Sequence, residues 1–166
     1  MTGPRGASDA MRAGTSRWVL ALVLWVCFIW GHSLVPGETS STESLSFVNG
    51  LRPAFELLGI TETLMMTFIV RKTAHFLEYV VLGVISGGLM RRGWGRDFLH
   101  GRLSLLVAVV VPMIDETIQR FVPGREGQLR DVCIDLAGIA FGLLVFWVVS
   151  RHRARHQGVG PGRQAT

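Results

Sequence analysis

An all-α polytopic membrane fold is predicted by three observations. Hydrophobic residues make up 49% of the 166, the mean hydropathy is +0.38, and the apolar residues gather in four long runs, at 18–35, 70–90, 103–121 and 132–149. A soluble domain of this size would not carry so apolar a surface. Each run approaches the roughly 20 residues that cross a hydrocarbon core of about 30 Å as a helix. A spanning sheet would instead show short alternating segments that close into a barrel. The expected organisation is one membrane domain of four transmembrane helices over 18–150, between a basic N-terminal tail, 1–17, and a basic C-terminal tail, 151–166.

The first run follows Arg5, Arg12 and Arg17, an arrangement shared with signal peptides, but it contains Trp25 and Trp30 and lacks a small-x-small signature after its apolar core. It is read as a retained first helix. The connection over 33–63 opens with Pro36-Gly37 and a Ser/Thr-rich piece. It then places Leu45, Val48, Leu51, Phe55 and Leu58 at spacings of three and four, an amphipathic helix pattern interrupted by Gly50 and Pro53. This segment is expected at the outer membrane surface, as a lid over the bundle or, preferentially, as an interfacial float. Pro112 should distort the third helix and free backbone carbonyls. Gly138 and Gly142, four apart on the fourth, let another helix approach closely. The chain beyond about Gln157 is expected to be disordered.

Basic residues orient the bundle. Lys and Arg number three in the tail to Arg17, four between Arg91 and Arg102, and four after Ser150. Those segments should face the cytoplasm, which places both termini inside. The opposite connections carry Arg52, Arg71, Lys72, Arg120, Arg125 and Arg130, softened by acidic neighbours. The net charge of +5 is thus topological. Nucleic acid is not an expected partner, because the basic residues flank spans and form no stripe with stacking aromatics. Cys27 and Cys133, each inside a run and without a thiol at metal-like spacing, are read as packing residues.

The apolar runs also hold Lys72, His75 and Glu78, then Asp115 and Glu116, then Asp131 and Asp135. Charges in lipid are costly and by default mark a function. Lys72, His75 and Glu78 repeat every three residues, while Asp115 with Gln119 and Asp131 with Asp135 are four apart, so each set lies along one helix face. With a rise of about 1.5 Å per residue, Glu78 and Asp115 share a level about 18 Å above the cytoplasmic ends of their helices. His75, Gln119 and Asp135 fall at about 22 to 24 Å, and Lys72 and Asp131 at about 27 to 28 Å. Three helices therefore deliver polar groups to matching layers on the extracytoplasmic side. Glu116 is turned about 100° from Asp115, toward solvent or another subunit. His32 is read as an interfacial polar residue, and Tyr79 and the tryptophans as packing or interface anchors.

At these residues the chain resembles the VanZ-like family of small bacterial integral membrane proteins. The resemblance is carried by Arg-Lys-Thr-Ala-His-Phe-Leu-Glu-Tyr-Val-Val-Leu-Gly at 71–83 and Asp-Glu-Thr-Ile-Gln-Arg-Phe-Val-Pro-Gly-Arg at 115–125. It continues through Arg130-Asp131 and Asp135-Leu136-Ala137-Gly138, and includes the polar exit of the first helix, His32-Ser33 to Pro36-Gly37. The family often has asparagine or aspartate at the position of Asp135. The resemblance implies a four-helix membrane protein whose namesake is associated with low-level resistance to glycopeptide antibiotics, notably teicoplanin, with the motif positions forming a polar site.

Three functional classes fit the residues. The preferred one is an outward-facing site for an envelope lipid, a cell-wall component or a lipophilic envelope-active compound, formed by Lys72, His75, Glu78, Asp115, Gln119, Arg125, Asp131 and Asp135. Lys72, Arg125 and Arg130 attract phosphate or carboxylate, and a Pro123-Gly124-Arg125 turn presents a guanidinium capable of bidentate contact. The second is a membrane enzyme on a lipid-linked envelope substrate. In it His75 acts as acid or base, Glu78 or Asp115 polarises it, Lys72 steadies an anion, and Gln119 is a further candidate. In a variant of that class a divalent cation sits among His75, Glu78, Asp115, Asp131 and Asp135, where the oxygen-rich set favours magnesium or calcium over zinc. No other cofactor is expected. The third class is structural, an ion-pair network in a wet bundle that binds nothing, although such pairs gain little net stability. A proton-coupled transporter fits less well, since four spans leave little room for alternating access without an oligomer. Membrane lipids are the expected partners, and the oligomeric state is left open. Amide substitution at Glu78 or Asp115 is expected to impair function more than the same change at Glu56; a functional assay giving equal tolerance at all three positions would contradict that ranking.

Overall fold

The computed structural model describes residues 4–93, 98–125 and 127–157, with side chains over 14–91, 102–125 and 127–156. Among the described residues it is all-helical: α1 (Pro4–Ser33), α2 (Gly37–Leu57), α3 (Thr63–Gly93), α4 (Phe98–Gln119) and α5 (Leu129–Gln157). The C-terminal stretch expected to be disordered, and residues 94–97 of the basic connection, lie outside the described residues. Both tails are more helical than their charge suggested, because α1 begins at Pro4 and α5 runs past its apolar part to Gln157. Extending a formed helix costs far less than starting one.

Among the described residues, three helices are long and apolar enough to cross a membrane, within Gly14–Ser33, Thr63–Arg91 and Leu129–His156. α4 has described side chains only from Arg102 onward, and that part, which carries Arg102, Asp115 and Glu116, is not among them. The surface is that of an inside-out protein. Leu20, Leu24, Leu77, Leu106, Met113 and Leu144 are all exposed, as apolar side chains facing lipid would be. Cys27 and Cys133, expected to pack, also lie on exposed faces.

α3 is the axis of the bundle and packs against α1, α2, α4 and α5, with α5 its most extensive partner. Phe76 and Val80 of α3 face Gly138 and Gly142 of α5, so these helices run parallel. α1 and α4 run against them. Trp18 meets Gly88 and His32 meets Glu78, while Ser104 Oγ donates to Ser86 O at 3.3 Å and Asp115 stands beside Tyr79. Ile29, Tyr79, Leu82, Ala108, Val111 and Ile139 form the buried core where the four long helices meet.

Glycine permits the α3–α5 approach. A Cβ on Gly142 would overlap the carbonyl oxygen of Val80, one on Gly83 would overlap that of Ile139, and one on Gly138 would lie 2.6 Å from that of Phe76. Side chains of ordinary size would push the helices apart.

α2 differs from its expected form. It passes through Gly50 and Pro53 without a break, and of the apolar ridge it buries only Val48, on a face otherwise made of Gly37, Ser40 and Ser44. Those serines tolerate burial because the hydroxyl of Ser44 donates to Ser40 O at 2.8 Å; Ser41, beside them, donates to Gly37 O at 2.7 Å. Leu45, Leu51 and Leu58 remain exposed. The helix start is docked by Gly37 N, which donates to Pro123 O at 3.0 Å, where a Cβ on Gly37 would overlap Gly124 O.

Replacing Gly142 by Leu should lower the thermal inactivation midpoint in detergent, with an overpacking cost of about 1–3 kcal/mol. Gly50→Ala, whose Cβ meets nothing within 4 Å, should be neutral or raise it, by at most about 1 kcal/mol.

Candidate functional site

The polar groups gather where α1 ends, α3 and α5 begin, and α4 turns into the 120–128 connection. Each helix contributes because its polar residues repeat at three or four, and the α3–α5 register sets those repeats opposite one another. Lys72 Nζ forms an ion pair with Asp131 Oδ1. One turn deeper, His75 Nδ1 lies 3.9 Å from Asp135 Oδ1. Deeper still the partners come from α1: His32 Nδ1 is 2.8 Å from Glu78 Oε1, and Ser33 Oγ donates to Asp115 Oδ1 at 2.5 Å. Gln119 Nε2 donates to the other oxygen of Asp115 at 3.1 Å. Glu78 is thus drawn toward α1 and away from the Lys72 and His75 cluster.

The innermost group is the most buried. Asp115 and Asp135 are both 0% exposed, and one ligand atom each from His75, Asp115 and Asp135 lie within 4.8 Å of one another. The Nδ1 of His75 and both carboxylate oxygens of Asp135 have no hydrogen-bond partner, an unusual condition for buried polar atoms. Tyr79, also fully buried, flanks Asp115.

Above this group opens a cavity of about 590 Å³. Arg71, Lys72 and His75 of α3 line one wall, with Leu64 and Phe68 at its apolar edge. Gln119, Arg125, Gln128 and Asp131 line the opposite wall, and Ser41 of α2 closes a side. Lys72 Nζ sits 5.4 Å and the Arg130 guanidinium carbon 6.0 Å from the centre of the Phe68 ring.

Arg125 has a second task that its sequence position did not reveal. The turn at Pro123-Gly124-Arg125 forms, with Gly124 at a φ of +72°, a conformation that favours glycine. The Arg125 side chain then folds inward instead of standing at the surface. Its Nε donates to Val35 O at 2.8 Å and one terminal nitrogen donates to His32 O at 3.0 Å. His32 is in the last turn of α1 and Val35 lies just past its end; His32 O also accepts from Val35 N at 3.1 Å, and carbonyls in such an exit have no i+4 helical donor. Burial, reinforced by the charge of Arg71, draws the guanidinium below its ordinary pKa.

Three participants were missed or misjudged in the sequence. Glu116 is buried, not solvent-facing, and its Oε2 accepts from Gln128 N at 2.8 Å, which ties the end of α4 to the start of α5. His32 and Ser33 hold Glu78 and Asp115. Their signals were position, two polar side chains at the end of an otherwise apolar run, and their place in the polar exit that the family resemblance includes.

Arg125→Lys should loosen the α1 exit, because an ammonium cannot reproduce a fork that reaches two carbonyls. A loss of about 1.5–3 kcal/mol is expected, read as a lower thermal midpoint together with faster proteolysis or amide exchange around residues 33–37.

With this geometry in place, the chain can be set beside known proteins. The VanZ/LLP1 family model matches residues 18–150. No curated protein and no solved structure matches the chain. The matched region contains every residue of the polar cluster and its cavity, and it establishes that the chain belongs to the VanZ/LLP1 family.

Proposed function

We propose that the cavity is an outward-facing binding site for the anionic head of an envelope lipid, a cell-wall component or a lipophilic envelope-active compound. In this reading α4 is the fourth transmembrane helix and both termini are cytoplasmic. The alternation of α1, α3, α4 and α5, each reversing its predecessor, supports four crossings, as does the placement of Arg91, Arg102, Arg151 and Arg153 at the end away from the cavity. A role in glycopeptide resistance, teicoplanin included, would belong to this activity as a consequence of engaging an envelope ligand.

The observation that carries the proposal is the composition of the cavity. Arg71, Lys72 and Arg125 bring cationic groups to one hollow whose edge is Leu64 and Phe68. A phosphate or carboxylate head fits between the cationic walls, and an acyl or prenyl chain can leave along the apolar edge toward lipid. Lys72 is the group that moves, since it can exchange Asp131 for the ligand. Arg125 keeps its hold on the α1 carbonyls and contributes its remaining N–H groups. Confinement beneath Ser41 of α2 strengthens each contact by excluding water.

One observation favours a second reading, a membrane enzyme acting on a lipid-linked substrate. His75 lines the cavity with an unpartnered buried Nδ1, 3.9 Å from Asp135, as an acid or base awaiting a substrate would be placed. An ion-pair network that binds nothing accounts for Lys72, Asp131 and Glu78, but it leaves Asp135 unexplained.

Mass spectrometry of lipids and small molecules that co-purify with the native protein tests both. The wild type should retain an anionic amphiphile that a Lys72→Ala, His75→Ala double variant loses at least tenfold. Identical profiles would overturn the binding proposal, and conversion of the retained species on incubation would favour the enzyme.

A further inference from the structure

We propose that His75, Asp115 and Asp135 form a three-ligand site for one divalent transition cation, zinc or manganese, at the floor of the cavity. It does not depend on what the cavity itself binds. The geometry comes first. The three ligand atoms lie within 4.8 Å of one another and belong to three elements, α3, α4 and α5. Bonds of about 2.0–2.2 Å to a shared ion would bring them to about 3.4 Å apart. Side-chain rotation covers that contraction, since neither His75 Nδ1 nor either oxygen of Asp135 is held by a hydrogen bond.

The second observation is Asp135 itself. It is 0% exposed, and both of its oxygens lack a partner. A buried carboxylate is stable only with a hydrogen-bond donor, a counter-charge or a proton. The nearby cations are committed elsewhere, Lys72 to Asp131 and Arg125 to the carbonyls of His32 and Val35. Two carboxylates and a neutral imidazole around a divalent ion sum to zero charge, which suits a site shut away from water.

Asp115 has the support expected of a metal ligand. Ser33 and Gln119 each donate to one of its oxygens, fixing the carboxylate while leaving a lone pair on each oxygen for an ion. Glu78 and Asp131 drop out of the ligand set because His32 and Lys72 engage them. What remains is one nitrogen and two oxygens. That mixture suits zinc or manganese better than the magnesium or calcium favoured by the five-residue set. Three protein ligands also leave coordination positions unfilled, and His75 borders the cavity, so an incoming water, phosphate or carboxylate oxygen can reach the ion.

The test uses the full chain without a histidine tag, stripped by chelator in detergent, given Zn²⁺ or Mn²⁺ and desalted before elemental analysis. About one equivalent per chain is expected for the wild type and for Glu78→Gln, falling at least fivefold in Asp135→Asn and in His75→Gln while the variants still elute as single species. Should those variants not fold, pulsed electron paramagnetic resonance of the Mn²⁺-loaded or Cu²⁺-loaded wild type decides, with coupling to one histidine nitrogen expected. Less than a tenth of an equivalent in the wild type, equal loading of Asp135→Asn, or the absence of nitrogen coupling would each overturn the site.

Discussion

The structure depends on how closely α3 can lie against α5. Gly138 and Gly142 sit over the carbonyls of Phe76 and Val80, and Gly83 sits over that of Ile139. At these three positions backbone meets backbone, so the two helices set each other's axial position. Because the helices are parallel, a register fixed in the middle is carried without change to their beginnings. There Lys72 meets Asp131, and one turn in, His75 meets Asp135. A slip of a single turn, about 5.4 Å, would separate both pairs and expose unpaired charges to an apolar interior. The packing of small residues and the placement of ionisable ones are two aspects of one interface.

That interface also explains how charge is distributed with depth. The outermost carboxylate is paired with a lysine, and Glu78 is paired with a histidine that enters from α1. Asp115 is satisfied by neutral donors from Ser33 and Gln119. Asp135, fully buried, has no hydrogen-bond donor on either oxygen. Compensation is thus least complete at the floor of the cavity, where His75 Nδ1 and both oxygens of Asp135 lack hydrogen-bond partners. Arg125 closes the assembly from above, using the fork of its guanidinium to join the α4–α5 connection to the end of α1.

Much of this was legible from residue spacing. The three-residue repeat of Lys72, His75 and Glu78 and the four-residue spacing of Asp131 and Asp135 placed them on single faces, and counting rise from the opposite ends put Lys72 level with Asp131 and His75 level with Asp135. Other features were not legible. α2 shows an apolar ridge in its periodicity, yet it buries a serine face, because hydroxyls that bond back to their own helix are inexpensive to bury and leave the leucines for an apolar surround. Glu116 was assigned outward from its angle to Asp115 alone, since nothing in the sequence tells that the 120–128 connection folds back over it to offer the amide of Gln128.

What the sequence determined by itself was the class and the inventory. Long apolar runs require helices, since a backbone in lipid must satisfy its own hydrogen bonds, and ionisable residues within those runs nominate a site through their cost. The tertiary structure alone decided partnership: which charge each charge meets, that Glu78 and Asp115 turn to α1, that Arg125 serves carbonyls, and that His75, Asp115 and Asp135 close on one another. Periodicity within a helix is local and follows from 3.6 residues per turn. Pairing between helices depends on which glycines let two backbones touch and on where a connection returns, and neither is encoded in any one segment.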